Sequence, residues 1–270
     1  MIASEGNLKK ATVFLPNLFT VMNMALGFFA IVSAVDHKWT QAAISVFVGH
    51  IMDIIDGRLA RFLGGSSKFG GEFDSFADLV SFGMAPAVMV YLLVLKDYGK
   101  LGFLLSFLFL LCGALRLARF NLKAIQPEVA PVQGAPTPSF VGLPIPGAGG
   151  CLAMVVLLVG YYESGHQGRM GNTLYDLVPM FRKLIPLIVF SLSLLMISKV
   201  QYASFKKTHL FRPQSMRTFM ITVFVLFMIY AYPQNTIFIL YSSYILWGIL
   251  NTVWRAYRLR RRPASAPTNL

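Results

Sequence analysis

The sequence predicts an all-α membrane protein, a polytopic bundle of about eight transmembrane helices with both termini in the cytoplasm. Hydrophobic residues make up 56% of the 270 residues and charged residues only 13%, about half the charged fraction of a soluble domain. The apolar residues form runs long enough to cross a bilayer, and the basic residues cluster between alternate runs. This composition excludes a soluble globular enzyme and a disordered chain.

Each predicted helix corresponds to one apolar run, because a helix needs about 20 apolar residues to cross a bilayer. The predicted spans are residues 15–35, 39–62, 73–95, 101–120, 145–162, 184–198, 217–232 and 235–254. The loops after the first, third and seventh spans are very short, which indicates antiparallel neighbours. We divide the chain into a cytoplasmic N-terminal segment, a core of five spans, three further spans and a basic tail, which are residues 1–14, 15–162, 163–254 and 255–270.

The basic residues orient the bundle. With the N-terminus in the cytoplasm, 18 of the 24 lysine and arginine residues lie on the cytoplasmic side. The other six lie outside, and they are Lys38, Lys96, Lys100, Arg169, Arg182 and Lys183. This asymmetry follows the positive-inside rule and accounts for the net charge of +13 without a nucleic-acid partner. The arginine-rich tail at 258–262 is expected to contact anionic membrane lipids, and the short chain suggests a prokaryotic cytoplasmic membrane.

The acidic residues mark the candidate site. Five of the eleven fall within 26 positions, and they are Asp53, Asp56, Glu72, Asp74 and Asp78. One helix face carries the first two together with Gly57 and Ala60, and the last two lie one helical turn apart. Four glycines between positions 61 and 72 predict a tight cytoplasmic turn. The second and third spans are then antiparallel, with both aspartate pairs at one membrane depth.

Ionisable groups inside membrane helices are costly, which makes this cluster a functional candidate. The groups that it offers are oxygens, and hard oxygen ligands suit Mg²⁺, Mn²⁺ or Ca²⁺. Four carboxylates can hold two such ions, an arrangement that supports phosphoryl displacement. Arg61, Ser67, Lys68 and the glycine-rich turn add donors for phosphate groups. The alternative is a structural cluster in which Arg58, Arg61 and Lys68 neutralise the acids.

The spacing of these residues resembles a known signature. The pattern is Asp53-x-x-Asp56-Gly57-x-x-Ala60-Arg61, eight residues, Gly70, three residues, Asp74, three residues and Asp78. It matches the motif of the CDP-alcohol phosphatidyltransferase family at every fixed position. Residues 15–23 resemble the first helix of that family, and residues 74–86, 115–121 and 140–146 resemble its phosphatidylserine synthase branch.

The resemblance implies a membrane enzyme that transfers the phosphatidyl group of CDP-diacylglycerol to L-serine and releases CMP. It also implies two divalent ions, Mg²⁺ or Mn²⁺, an active site facing the cytoplasm and a homodimer. The first three motif aspartates would bind one ion, and the third and fourth would help to bind the second. Asp78 would also take the proton from the incoming hydroxyl, which is a suitable role for a positioned carboxylate.

The substrate contacts follow from the same resemblance. Those for CDP-diacylglycerol are Asn17, Thr20, Gly57, Ala60, Arg61, Ser67 and Gly70, to which position alone adds Lys68. The predicted contacts for serine are Arg116, Arg119 and Asn121. A planar guanidinium suits the serine carboxylate, and the two arginines share one helix face, with Asn121 just beyond them. The same two arginines could instead anchor the helix at the head groups. His50, one turn before Asp53, is expected to hydrogen-bond to the acid cluster from outside the ligand set.

Two other functions stay open on the sequence alone. The first keeps the chemistry but uses choline, inositol or glycerol 3-phosphate as the acceptor, although a choline site would favour aromatic faces. The second is a divalent-cation transporter that uses the acids as its pathway. A transporter should carry polar residues through both leaflets, whereas the outer halves of the second and third spans are apolar. The transferase is therefore favoured.

Overall fold

The structure, a computed structural model, describes residues 2–63, 67–125, 140–163, 172–198 and 200–202, with scattered positions between 220 and 254. Within these ranges lie seven α-helices and one pair of two-residue strands. The helices are α1 (Ile2–Val35), α2 (Trp39–Phe62), α3 (Lys68–Asp78), α4 (Ala85–Leu93), α5 (Gly99–Ile125), α6 (Ile145–Glu163) and α7 (Asn172–Ile197). The strands β1 (Phe140–Val141) and β2 (Gln201–Tyr202) pair antiparallel. Apart from this pair, the described part is helical, as predicted.

Helices α1 and α2 form a tight antiparallel hairpin. His37, in the short turn between them, has a left-handed backbone with φ of 59°. The Lys38 N–H donates to Ser33 O at 2.8 Å and closes the end of α1. The bounds of α2 are those predicted for the second span, whereas α1 begins at Ile2, upstream of the predicted start at residue 15.

Helix α3, a π-helical segment and α4 form one continuous rod. We call Leu79–Met84 the π segment; at its end the Ala85 N–H donates to Val80 O, five residues back. Pro86 explains the widened turn, because it has no N–H to offer to Phe82 O, the carbonyl four residues earlier. The apolar run predicts the rod but not the π segment within it.

The start of α3 corrects the predicted glycine turn. The helix begins at Lys68, so Gly70 and Gly71 lie inside it and the predicted turn is wrong for these two glycines. Ser67 caps the helix, since its hydroxyl accepts the Gly70 N–H at 3.0 Å. Such a cap satisfies a first-turn donor and allows the helix to start before the glycines. Residues 64–66, which contain the other two glycines, lie outside the described residues.

Helix α6 lies at the centre of the bundle. Its residues between Ile145 and Gly160 are almost all buried, and it packs against α2, α4, α7 and the π segment. Gly149 lies against the backbone of Phe82 and Gly160 against Trp39, and a Cβ at either glycine would clash. Small residues at helix crossings are typical of membrane bundles, where close van der Waals packing drives association.

The surrounding helices are apolar enough for a bilayer. In the described part of the chain, four helical stretches have the length and composition of membrane spans, and they are Pro16–Val35, Phe69–Leu93, Leu95–Leu122 and Pro179–Ile197. The shorter apolar helix Ile145–Tyr161 lies among them. Exposed large side chains such as Phe28, Phe103 and Leu187 supply a lipid-facing surface. The protein is an integral membrane protein.

The count of eight spans is not confirmed. The last two predicted spans, 217–232 and 235–254, are described only at scattered helical positions, and the basic tail 255–270 lies outside the described residues. The orientation of the two termini and the division into segments stay predictions.

Candidate functional site

Three carboxylates from two helices converge at one end of the α2–α3 pair. Asp53 and Asp56 lie on α2 and Asp74 lies on α3, and each offers one oxygen within 4.8 Å of the other two. We call these three residues the acid triad. They come together because few residues separate the end of α2 from the start of α3. Oxygen donors at this spacing could hold a divalent cation.

Asp78 lies one helical turn beyond Asp74, at the end of α3. It is outside the acid triad, but the charges of the three triad carboxylates act on it. One carboxylate oxygen of Asp74 and one of Asp78, Oδ1 in each, are buried and have no hydrogen-bond partner among the residues that the structure describes. A buried carboxylate oxygen without a donor is unfavourable, and like charges in such proximity repel one another. The residues present therefore fit a bound cation, which would relieve both conditions.

Helix α1 supports the acid triad through Thr20. Its hydroxyl lies 3.0 Å from Asp56 Oδ2 and 3.3 Å from Pro16 O, and both Thr20 and Asp56 are buried. A hydroxyl has one proton, and the shorter bond, to a carboxylate, is the stronger of the two. The bond orients Asp56. The sequence predicts only a nucleotide contact for Thr20, because a contact between residues 36 positions apart leaves no periodic signal.

We expect Thr20→Val to weaken cation binding and to leave the fold intact. Valine has a similar shape but cannot donate to Asp56, so the carboxylate loses its orientation. A hydrogen bond to a charged group contributes about 1.5–3 kcal/mol, which corresponds to at least a tenfold loss in affinity for Mn²⁺. Titration of the purified protein with Mn²⁺ measures the loss, and Thr40→Val at an exposed position of α2 is the control. Equal affinities in the two variants would contradict this role of Thr20.

Two small residues of α2 share a helix face with Asp53 and Asp56. Gly57 and Ala60 are partly exposed, and a Cβ built on Gly57 would meet Arg61 Nη1 at 3.6 Å, an ordinary contact. Arg61 is exposed, and its charge acts on Asp53. Asn17 is partly exposed on the facing helix α1. Partly exposed small residues and a cationic group therefore lie near the acids, as a phosphate-bearing ligand requires.

Three further predicted nucleotide contacts lie at the start of α3. The Ser67 hydroxyl is engaged as a helix cap, and Gly70 is the buried residue whose N–H it accepts. A serine just before a helix is a common cap, so this signal was present in the sequence. The side chain of Lys68 lies outside the described residues. A nucleotide contact by any of the three stays a prediction.

Two of the predicted serine contacts are arginines of α5 in different environments. Arg116 is only 8% exposed, and its charge acts on Asp78. Arg119 donates from Nη1 to Ile197 O, the last residue of α7, at 3.2 Å. Arg116 is therefore the arginine that lies beside the acids, whereas Arg119 satisfies a carbonyl at a helix end.

The third predicted serine contact, Asn121, joins α5 to α3. Its Nδ2 donates to Glu72 Oε2 at 3.0 Å and to Ser75 Oγ at 3.1 Å. This network explains the position of Glu72, the fifth acid of the sequence cluster, which lies outside the acid triad. The sequence does not indicate this pairing, because the partners are separated by more than 40 residues.

His50 faces a different part of the bundle. Its Nδ1 lies 3.1 Å from the Tyr241 hydroxyl, and its ring centroid lies 5.3 Å from that of Phe82. The predicted hydrogen bond from His50 to the acid cluster is therefore wrong. His50 precedes Asp53 by three residues and Asp56 by six, so it lies about 60° and 120° around the helix from these two acids, on the side of α2 away from Asp56.

Comparison with known proteins places this site in a family. The family profile described as CDP-alcohol phosphatidyltransferase matches residues 13–174. A CDP-diacylglycerol–serine O-phosphatidyltransferase of Helicobacter pylori strain J99 is 33% identical over 239 residues, which cover 88% of this chain and 91% of the relative. The Bacillus subtilis strain 168 protein of that name is 34% identical over 194 residues, which cover 72% and 92%. The archaetidylserine synthase of Methanothermobacter thermautotrophicus is 31% identical over 200 residues, which cover 73% of each chain.

The matched region includes the acid triad, Asp78 and the small residues beside them. The profile covers more than half of the chain, and the relatives align over most of their own length. The transporter alternative has no comparable support. The chain belongs to the CDP-alcohol phosphatidyltransferase family of membrane enzymes.

Proposed function

We propose that this protein is a phosphatidylserine synthase, which transfers the phosphatidyl group of CDP-diacylglycerol to the hydroxyl of L-serine and releases CMP. The acid triad carries the proposal, because one carboxylate oxygen of each of three motif aspartates lies within 4.8 Å of the other two. The names of the relatives support serine as the acceptor, since two are CDP-diacylglycerol–serine transferases and one is an archaetidylserine synthase. These names favour serine over choline, inositol and glycerol 3-phosphate.

Two divalent cations, Mg²⁺ or Mn²⁺, fit the donors of the site. Asp53, Asp56 and Asp74 would hold the first, and Asp74 with Asp78 would hold the second. When bound, the ions would offset negative charge on the diphosphate and on the departing CMP. The unpartnered buried oxygens of Asp74 and Asp78 support this assignment, as does the all-oxygen donor set.

Asp78 is the proposed general base. A serine hydroxyl is a weak nucleophile at neutral pH, and Asp78 accepts its proton as the new bond forms. The serine oxygen bonds to the phosphorus that carries diacylglycerol. The bond from that phosphorus to the bridging oxygen breaks, and CMP leaves with the electron pair. Arg116 is proposed to bind the serine carboxylate and so to hold the hydroxyl near Asp78.

The nucleotide is proposed to lie along α2. Gly57 and Ala60 leave room for the cytidine, Arg61 contacts the phosphates, and Asn17 closes the site from α1. The partial exposure of these residues beside the acid triad supports this placement. Arg119 and Asn121 would act indirectly, by fixing the end of α5 that carries Arg116.

We expect Gly57→Ala to impair binding of CDP-diacylglycerol without unfolding the protein. The added methyl group meets Arg61 Nη1 at 3.6 Å, so the fold accommodates it, but it occupies space proposed for the nucleotide. A loss of about 1.4 kcal/mol would raise KM for CDP-diacylglycerol tenfold. Steady-state kinetics and Tm measure the two effects. Gly149→Ala, which clashes with the Phe82 backbone, should instead lower Tm. An unchanged KM in Gly57→Ala would contradict the nucleotide placement.

We also propose that the acids face the cytoplasm of a prokaryotic cell and that the protein is a homodimer in its membrane. The predicted excess of basic residues on the side of the acids supports this orientation. The predicted contact of the basic tail with anionic lipids belongs to the same proposal.

An acceptor series tests the proposed function. Purified protein with Mn²⁺ and CDP-diacylglycerol should release CMP fastest with L-serine, compared with choline, inositol and glycerol 3-phosphate at equal concentration. A faster reaction with another alcohol would overturn serine as the acceptor and leave the family chemistry in place. Release of CMP at the same rate without any alcohol would overturn the transfer reaction itself.

A further inference from the structure

We propose that Ser81 is a positioning residue, whose hydrogen bond to α1 sets the placement of Asp78 relative to the acid triad. This inference rests on the proposed function, in which Asp78 serves as the base and helps to hold the second cation. It concerns a buried serine of the π segment that the proposed chemistry does not use.

The backbone changes its hydrogen-bond pattern directly after Asp78. Asp78 ends α3, and the π segment starts at the next residue, Leu79. The Leu79 N–H is shared between Ser75 O and Phe76 O, so no single helical bond fixes this junction. Single π turns within α-helices are frequent at functional sites. The direction of the Asp78 side chain therefore depends on how the π segment is held by its neighbours.

Ser81 fixes the π segment to α1. Its hydroxyl donates to Asn23 O at 2.7 Å, and both residues are fully buried. Gly27, one turn further along α1, lies against Ser81, and a Cβ on this glycine would clash with the Ser81 Cα. The rod and α1 are thus in close contact at a point three residues after Asp78.

The same stretch of α1 holds a carboxylate of the acid triad. Thr20, three residues before Asn23, donates to Asp56 Oδ2 at 3.0 Å. Adjacent turns of α1 are about 5.4 Å apart, so one rigid helix contacts both Asp56 and the segment that follows Asp78. These two hydrogen bonds set the separation of Asp56 and Asp78 in the way that outer partners orient metal ligands.

A matched control is a second serine hydrogen bond to the same rod. The Ser106 hydroxyl of α5 donates to Ala87 O of α4, also at 2.7 Å and also buried. Both bonds join a buried serine to a helix carbonyl, so their loss should destabilise the fold to a similar extent. Only the bond of Ser81 lies within one turn of Asp78.

The test compares Ser81→Ala with Ser106→Ala. In Ser81→Ala, kcat for serine-dependent CMP release should fall about tenfold to a hundredfold, the loss expected when a reacting group is misplaced. KM for CDP-diacylglycerol should stay unchanged, and Ser106→Ala should keep the wild-type kcat. Both variants should show similar decreases in Tm. A kcat in Ser81→Ala equal to that of Ser106→Ala would overturn the proposal.

A titration with Mn²⁺ supplies a readout that does not involve the acceptor. Ser81→Ala should bind the second Mn²⁺ several-fold more weakly and the first with wild-type affinity, whereas Ser106→Ala should bind both normally. Normal binding of both ions in Ser81→Ala would overturn this proposal, whether or not the wild-type protein reacts with serine. A wild-type protein that shows no reaction with serine would instead refute the proposed function. Should Ser81→Ala not fold, Ser81→Cys, which carries a weaker donor, should show the same pattern at smaller amplitude.

Discussion

Asp78→Asn should lower kcat for serine-dependent CMP release by about 10²- to 10⁴-fold, the usual contribution of a general base. Asparagine has the size of aspartate but cannot accept the hydroxyl proton. Because Asp78 lies outside the acid triad, the first cation and CDP-diacylglycerol should still bind. KM for CDP-diacylglycerol should therefore change little, and the loss should appear in kcat. Steady-state measurement of CMP release over a range of CDP-diacylglycerol concentrations separates the two constants.

Asp97→Asn is the control for this substitution. Asp97 is an exposed carboxylate that pairs with Arg182 at 3.0 Å, beyond the far end of the rod that carries Asp78. An exposed pair of this kind contributes little to stability, so Asp97→Asn should keep the wild-type kcat. A kcat for Asp78→Asn close to that of the control would exclude Asp78 as the base.

Asp74→Asn should abolish the reaction and, without metal, raise the stability of the protein. Asp74 belongs to the acid triad and is proposed to serve both cations. In the metal-free protein, its replacement by a neutral amide of the same size removes one of several close like charges, and an amide is cheaper to bury than a carboxylate. Tm in EDTA should therefore rise above the wild-type value, although activity is lost.

Thermal unfolding in detergent, with Mn²⁺ or with EDTA, measures this effect. A ligand at a hundred times its Kd stabilises the folded state by about 2.7 kcal/mol, so wild-type Tm should rise with Mn²⁺. Asp74→Asn should show no such rise. Asp36→Asn, which alters an exposed pair with Lys38, should respond as the wild type does. A full Mn²⁺ response in Asp74→Asn would contradict the assignment of the acid triad as the cation site.

Those parts of the fold that depend on apolar run length are predictable from the sequence. The bounds of α2 match the predicted span because a three-residue polar turn precedes it and a glycine-rich stretch follows it. The meeting of Asp53, Asp56 and Asp74 is also predictable, since helical spacing and a short connection suffice to bring them together. Local geometry thus specifies the carboxylates of the site.

The contacts that hold those carboxylates are not predictable in this way. Thr20 of α1 contacts Asp56 of α2, 36 positions away, and His50 contacts Tyr241, 191 positions away. Neither pair leaves a periodic pattern in the sequence. The π segment arises because Pro86 lacks a donor, an effect that hydrophobicity does not reveal. Long-range packing determines these details, whereas short-range spacing determines the ligands.

Anomalous diffraction from crystals grown with Mn²⁺ tests most directly whether α2 and α3 hold their carboxylates around a divalent cation. We predict a Mn²⁺ peak about 2.0–2.6 Å from oxygens of Asp53, Asp56 and Asp74, with a second peak between Asp74 and Asp78. Crystals that bind Mn²⁺ elsewhere and show no peak at the acid triad would contradict this arrangement.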